Sequence, residues 1–377
     1  MSATETLQGL CEFEMRGGGT DAERRAGLWL AEQIEATGRE ATIETFWCRP
    51  NWAFAQVWHA AAGLAGSLVA VHTPRVGGAI LLVALLSALS DVVFGVSIGR
   101  RLTPERASQN IVATPPQGTP RRRVSLILTA PYDAGRAGLV DRDAIRRPVA
   151  RMRTATGGLA PGWAFWFAIV LLWLLGVAIA RFEGATGALI GVLQLIPTVA
   201  LVLITAALLE KATADFGPSA GDDASGVAAA LAIAAALDAS PLYEASVDVV
   251  LTGAGDGTGL GLRRYLRSRR RSLRAHNTVV VGIGPCAHGT PRYWLSDGPF
   301  LPVRHFKALR RLGAQAGQAD PQLDLTAHRG RGSSPALPAR LAGMPSIAIG
   351  SLDALALSAN SHQQSDTPDT VEEVVLA

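Results

Sequence analysis

Four short stretches, read as lying just after predicted strands, carry acidic or histidine side chains, the types that bind cations or move protons. Ala130–Asp133 reads Ala-Pro-Tyr-Asp, and Asp222 with Asp223 opens an Asp-Asp-Ala-Ser-Gly run. Gly253–Gly261 is GAGDGTGLG, with Asp256 as its acid. His362 lies in SHQQSDTPDT, residues 361–370. Taken singly, each has a plainer reading. Asp222 and Asp223 suit a helix N-cap, and Asp133 and His362 suit turns. The glycine stretch lacks the GxxxxGK[ST] pattern of a phosphate-binding loop.

Together, and in this order, the stretches resemble the co-catalytic zinc exopeptidases of the aminopeptidase Y and bacterial leucyl aminopeptidase type. Glutaminyl cyclases, the transferrin receptor and nicastrin share that fold more distantly. Further likeness lies in ERRA at Glu23–Ala26, in NIVA at Asn110–Ala113, in the run Asp222–Leu231 (close to DNASGVA), in AGMP at Ala342–Pro345 and in DTPDT at Asp366–Thr370.

The resemblance implies two zinc ions sharing a bridging aspartate, each with ligands of its own, and a glutamate as general base. Paired cations need carboxylates to neutralise them; they acidify a bridging water and polarise the scissile carbonyl, while the glutamate moves the proton. The bridging aspartate falls on Asp222 and the last histidine on His362. The first histidine falls on Pro131, the general base on Gly255, and a further aspartate near Gly282, none of which can serve. The metal-binding glutamate falls on Asp256, one methylene shorter. Asp133 keeps the place of the aspartate that orients the lost histidine, and Asp223 lines the cleft beside Asp222. Asp222, Asp256 and His362 are thus remnant ligands, two for each metal position, whereas a catalytic zinc ordinarily takes three from the protein. His288 or Asp297 is a nearby group that a rebuilt site would recruit as base.

The expectation is a zinc-exopeptidase-like protein that has lost peptidase catalysis and acts as a binding or regulatory platform for a peptide or protein ligand, with no cofactor. The alternative is an active metal-dependent aminopeptidase with an altered, single-metal site, and then zinc is the cofactor. A third class, a transporter or sensor, rests only on Asp91 inside an apolar run.

These residues need a scaffold. Ala22–Thr37 reads as an amphipathic helix stopped by Gly38. Ala41–Phe46, Asn110–Ala113, Val124–Thr129, Ser246–Leu251, Thr278–Ile283 and Ser346–Gly350 read as strands. Helices fall at Gly221–Leu237 and around Leu260–Arg269. Such alternation predicts an α/β, three-layer, zinc-exopeptidase-like domain with a mainly parallel mixed sheet and its chemistry at the carboxyl ends of the strands. The family's closing helix is expected beyond the last motif, where this sequence stops.

Four apolar runs interrupt that domain: Ala53–Val71, Val76–Ile98, Pro161–Ala180 and Ala185–Leu209. Each has about the twenty residues that a helix needs to cross a bilayer, with Trp52, Trp58, Trp163 and Trp166 near the ends. They pair into two transmembrane hairpins, 53–98 and 161–209, and leave 1–50, 99–158 and 212–377 as one discontinuous soluble domain. Of the 377 residues, 49% are hydrophobic and 18% charged, below the quarter usual for soluble proteins. The net charge of +4 comes from arginine, Lys211 and Lys307 being the only lysines. No signal peptide is expected, and the three isolated cysteines suggest neither a zinc knuckle nor a disulfide framework. Arginines flank the long connections rather than the short ones, which predicts a multi-pass protein of a bacterial-type cell membrane with both termini and the soluble domain in the cytoplasm. The expected partners are the lipid bilayer and, through the Arg121–Arg123 and Arg267–Arg274 runs, anionic headgroups; nucleic acid is not expected. Gly63, Gly66, Gly187 and Gly191 offer small faces on which the hairpins would meet.

Overall fold

The computed structural model describes residues 2–116, 118–119 and 122–372; Arg121, first of the basic runs, lies outside them. The helices α1 (Ala3–Cys11) and α2 (Asp21–Ala36) lead into strand β1 (Glu40–Cys48). Ser2 and Thr20 start the two helices by accepting hydrogen bonds from the N–H groups of Glu5 and Glu23. Three helices follow, α3 (Trp52–Ala70), α4 (Pro74–Phe94) and the short α5 (Ile98–Arg101), then β2 (Arg106–Thr114) and β3 (Val124–Pro131). Next come α6 (Asp143–Ala155), α7 (Trp163–Phe182), α8 (Ala188–Thr213), α9 (Ser225–Ala239), β4 (Ala245–Thr252) and α10 (Leu260–Ser268). The chain closes with β5 (Thr278–Ile283), β6 (Thr290–Asp297), β7 (Val303–Arg304), α11 (Lys307–Ala319), β8 (Thr326–Arg329), α12 (Leu337–Leu341) and β9 (Ser346–Leu352).

The sheet runs β1-β2-β4-β3-β5-β9-β6-β7, with β8 on the far side of β6. Alternation along its strands sends Ile111, Leu128, Val249 and Leu251 to one face, against Leu7, Leu30 and Ile34 of α1 and α2 and Val227 of α9. Val112, Ile127, Val250 and Val280 point the other way, against Leu262 and Leu266 of α10 and Ala339 of α12. Three layers result, as expected. The sheet is mixed: β4–β3, β3–β5, β5–β9 and β6–β8 are parallel, and β1–β2, β2–β4, β9–β6 and β6–β7 are antiparallel. At the β1 edge the cause is the inserted helix pair: an up-and-down pair brings the chain back to the end it left, so β2 must run against β1.

The four apolar runs form α3, α4, α7 and α8, packed as two pairs side by side around Leu81, Leu85, Phe167, Leu171 and Leu201. Among the described residues five helices are long and apolar enough to cross a membrane, and the fifth, Ala220–Ala239, packs on the sheet instead. Outward-facing Leu189, Leu195, Ile196 and Leu203 of α8 are exposed. At Gly63 an added β-carbon would lie 2.7 Å from Leu171 Cδ2 and 3.0 Å from Leu201 Cδ1, so this glycine sits where the pairs meet. Gly66 packs inside the first pair against Gly77 and Leu81, and Gly187 and Gly191 face open space, contrary to expectation.

Asp91 is buried with its charge matched. Arg100 Nε donates to Asp91 Oδ1 at 2.7 Å and Nη2 to Oδ2 at 3.0 Å, while Ser97 Oγ and Gln56 Nε2 also donate to it. Gln56 passes the network to His59, and His59 to Ser87. A charge at this depth is tolerable because its partner and its hydrogen bonds come with it.

Candidate functional site

The parallel strands β3, β4 and β5 end at one edge of the sheet, and the predicted residues gather in a cleft of about 300 Å³ there. Pro131, Asp222, Asp223, Gly255, Asp256 and His362 all line it. Strand β3 delivers Pro131 and, two residues on, Asp133. The turn Ala220–Ala224 before α9 delivers Asp222 and Asp223. The segment after β9 delivers His362, whose φ of 56° is in the left-handed region.

Asp222 and His362 are brought together, with His362 Nε2 3.8 Å from Asp222 Oδ2. The Nδ1–Cε1 edge of the imidazole abuts Gly135, where a β-carbon would meet Nδ1 at 2.0 Å, and among the described residues the buried Nδ1 has no partner. Ser361 Oγ donates a short hydrogen bond to Asp222 Oδ2. Asp366 holds the Asp222 turn in place by accepting from the Gly221 N–H at 2.7 Å and the Asp222 N–H at 3.1 Å. Burial works to raise the Asp222 carboxyl, but the hydrogen bonds with Asp223 and Ser361 and the nearby His362 hold it below its ordinary value. Burial and the neighbouring Asp222 push Asp223 well up, so Asp223 is the proton donor of the pair.

Asp256 does not join them. The Trp52 indole N–H donates to Asp256 Oδ2 at 3.2 Å, so the first residue of α3 holds this carboxylate. Asp133 has work of its own rather than nothing to orient: Oδ1 accepts from the Gly255 N–H at 2.6 Å and Oδ2 from the Asp256 N–H at 3.2 Å, which pins the glycine loop. Burial and the charge of Asp256 push Asp133 up to about 7, against those N–H groups. Behind it Glu23, from the ERRA stretch, accepts from the Gly19 and Ala254 N–H groups and from Ser108 Oγ; burial and Asp133 raise it to about 8.

Two positions that the resemblance assigns to the base and to a further aspartate are closed by packing. A β-carbon on Gly255 would lie 2.4 Å from Pro131 Cβ and 2.9 Å from Asp133 Oδ1. A β-carbon on Gly282 would lie 2.4 Å from the Ala336 nitrogen and 2.8 Å from the Pro335 carbonyl carbon. Among the described residues no three His, Cys, Asp or Glu side chains are grouped so as to hold a metal ion. Asp222 and His362 offer two adjacent donors and the third is turned to Trp52, so the donor set does not fit a catalytic zinc.

Of the two groups considered as a replacement base, Asp297 lines the cleft, and burial raises it to about 6 against N–H donors that include Ser334 and Gly298. His288 is not among the lining residues and sits 3.6 Å from Glu372. Sequence reasoning did not find four further lining residues, Arg153, Trp294, His328 and Arg331. Arg331 donates to the Gly158 carbonyl, and Arg153 Nε is buried without a partner. Nothing in the spacing of these four marks them out; they meet only because α6 and β8 fold to the same rim.

Residues 205–376 match the family model described as Peptidase family M28. No curated protein matches the sequence. Solved structures share the fold. A leucine aminopeptidase precursor from Bacteroides thetaiotaomicron aligns at 15% identity and a TM-score of 0.53, covering 100% of this chain and 91% of its own. The glutaminyl cyclase of the same organism aligns at 14% and 0.53, covering 100% and 92%. A Zn-dependent exopeptidase from Parabacteroides distasonis aligns at 11% and 0.53, again with 100% and 92%.

Proposed function

We propose that this chain is a membrane-embedded, peptidase-like protein that binds a ligand in the old catalytic cleft and does not cleave it. The observation that carries the reading is the contact between Gly255 and Pro131. The places of the general base and of the first metal histidine have become one packed surface, with no room for a side chain at 255. Loss of a base alone would be reversible by a neighbour; a filled site is not.

What remains suits recognition. Asp222 and Asp256 give one end of the cleft negative charge, which favours the amino terminus of a peptide. Arg153 and Arg331 add positive charge to the same lining. The four apolar helices, with their exposed outer faces, hold the domain to the bilayer.

The test is hydrolysis of a panel of aminoacyl substrates by the purified protein, with elemental analysis of the same sample. No turnover and no stoichiometric zinc are expected. Turnover that a chelator abolishes and Asp222→Ala removes would refute the reading and establish a single-metal aminopeptidase instead.

A further inference from the structure

Where α4 ends, Gly95 turns the chain and α10 packs on the turn. A β-carbon at Gly95 would touch Leu260 Cδ2 at 3.1 Å and Arg263 Cδ at 3.5 Å. The end of β1, the α4–α5 turn and α10 enclose a groove of about 220 Å³ whose lining includes Arg49, Arg100, Arg101, Arg263, Arg264 and Arg267.

Most of this charge is unmatched. Arg100 is taken by Asp91, and Arg49 has Glu105 at 3.8 Å. Among the described residues, Arg101, Arg263, Arg264 and Arg267 have no ion-pair partner. Arg263 Nε donates to the Thr258 carbonyl at 2.7 Å, which leaves its two terminal nitrogens for the groove. Burial, with the nearby Arg100 charge, pulls Arg263 down to about 10 against the opposing pull of Asp91.

The surroundings say which anion. Trp47 is 72% exposed and Phe94 62%, and both line the groove. On the other side of α5, Ile98, Gly99 and Leu102 open onto an apolar furrow of about 590 Å³ between α3 and α4, lined further by Trp58, Ala65 and Val83. The short helix α5 therefore has a basic side on the groove and an apolar side on the furrow. A free anion has no use for the furrow, whereas a phospholipid fills both. Groove and furrow also meet at the ends of α3 and α4, the depth at which headgroups lie if these helices span a bilayer.

We propose that this groove is a binding site for one anionic phospholipid, its phosphodiester held by Arg101, Arg263, Arg264 and Arg267 and an acyl chain laid in the α3–α4 furrow. The inference rests on the membrane-embedded part of the proposed function, and the experiment separates the two. Carbonate extraction of membranes asks whether the chain is embedded at all. Native mass spectrometry then counts lipids kept by the full chain after release from nanodiscs of phosphatidylcholine mixed with phosphatidylglycerol, with and without added inorganic phosphate. One phosphatidylglycerol is expected to stay bound in preference to phosphatidylcholine, and phosphate is expected not to displace it. R264Q/R267Q, at two exposed positions, and R101Q should each lower that preference about fivefold or more, as expected for cations withdrawn from an anionic headgroup. Retention unchanged in both variants, equal retention of phosphatidylcholine, or displacement by phosphate would overturn the site while leaving a carbonate-resistant protein embedded. Release by carbonate would sink both.

Discussion

Trp52 and Asp256 join the helix bundle to the cleft: the first residue of α3 donates its indole N–H across 3.2 Å to the carboxylate of the glycine loop. The ring also fills the space over Gly257, where a β-carbon would meet Trp52 Cδ1 at 2.2 Å. Trp52 stacks on Trp163, the first residue of α7, with centroids 5.5 Å apart. Trp52→Phe keeps most of the ring contact and removes the donor. It should cost about 1.5–3 kcal/mol, the worth of a hydrogen bond to a charged group, and speed amide exchange selectively at Gly255–Thr258. Unchanged exchange there would show that the indole does not hold the loop.

Gly255 and Pro131 should be energetically coupled. Gly255→Ala forces a β-carbon against Pro131 and should destabilise by about 1–3 kcal/mol, as overpacking does. Pro131→Ala alone should cost less, and in the double variant part of the Gly255→Ala penalty should vanish, giving a coupling energy above about 0.5 kcal/mol. Denaturant titration of the four proteins gives the cycle; strict additivity would mean the two positions do not press on each other. Gly282→Asp, which drives a side chain into the Pro335–Ala336 backbone, should be worse than either single variant and should not create a metal site.

Stability should fall as pH rises from about 5 to 8. Glu23 (to about 8), Asp133 (to about 7), Asp297 and Asp366 (each to about 6) all have carboxyls raised in the folded chain. A raised acid holds a proton in the folded state that the unfolded state has already released, so the folded state binds more protons across this window and loses ground with pH. Buried His305 and His328, both held down to about 4, work in the opposite direction below about 6.5, so the decline is cleanest from about 6.5 to 8, where only the acids titrate. Melting temperatures at closely spaced pH values measure it, and Glu23→Gln should shallow the slope. A melting temperature that climbs from pH 5 to 8 would contradict these shifts.

Fusions report the orientation. The arginine flanks motivate a cytoplasmic C-terminus and external short connections, so a reporter active only outside the cytoplasm should be silent at Ala377 and active at Gly184. The reverse pattern would place the cleft outside the cell.

How far the sequence carried depends on whether a residue acts locally. Asp222 and His362 are legible because each sits in a short motif, the one opening α9 and the other following β9, and the fold brings them side by side. The strand at Thr278–Ile283 is legible residue for residue because its apolar run is bounded by turn residues on both sides. Trp52 was not, since a tryptophan at the head of an apolar run reads as an anchor at the headgroup level, and its second role depends on a partner more than two hundred residues on. Asp133 kept its place but changed its task, because only the fold shows which N–H groups it faces. The strands β6 to β8 escaped detection for another reason: β7 and β8 are very short and the residues of β6 alternate weakly.

The pairing of β1 with β2 sets an order of assembly. Glu40 faces Thr114 and Cys48 faces Arg106, with the whole of α3, α4 and α5 strung between the two strands. The edge of the sheet therefore cannot zip until that helix pair has found its place, and β3 and β4 are likewise separated by α7 and α8. Long-range pairings of this kind form late and slowly. On the proposed membrane-embedded reading, the apolar helices of a chain emerging from the ribosome must be lodged while the water-facing strands are still unpaired, so a defect in helix insertion should surface first as an unfolded sheet, open to proteases, rather than as a folded domain in the wrong place.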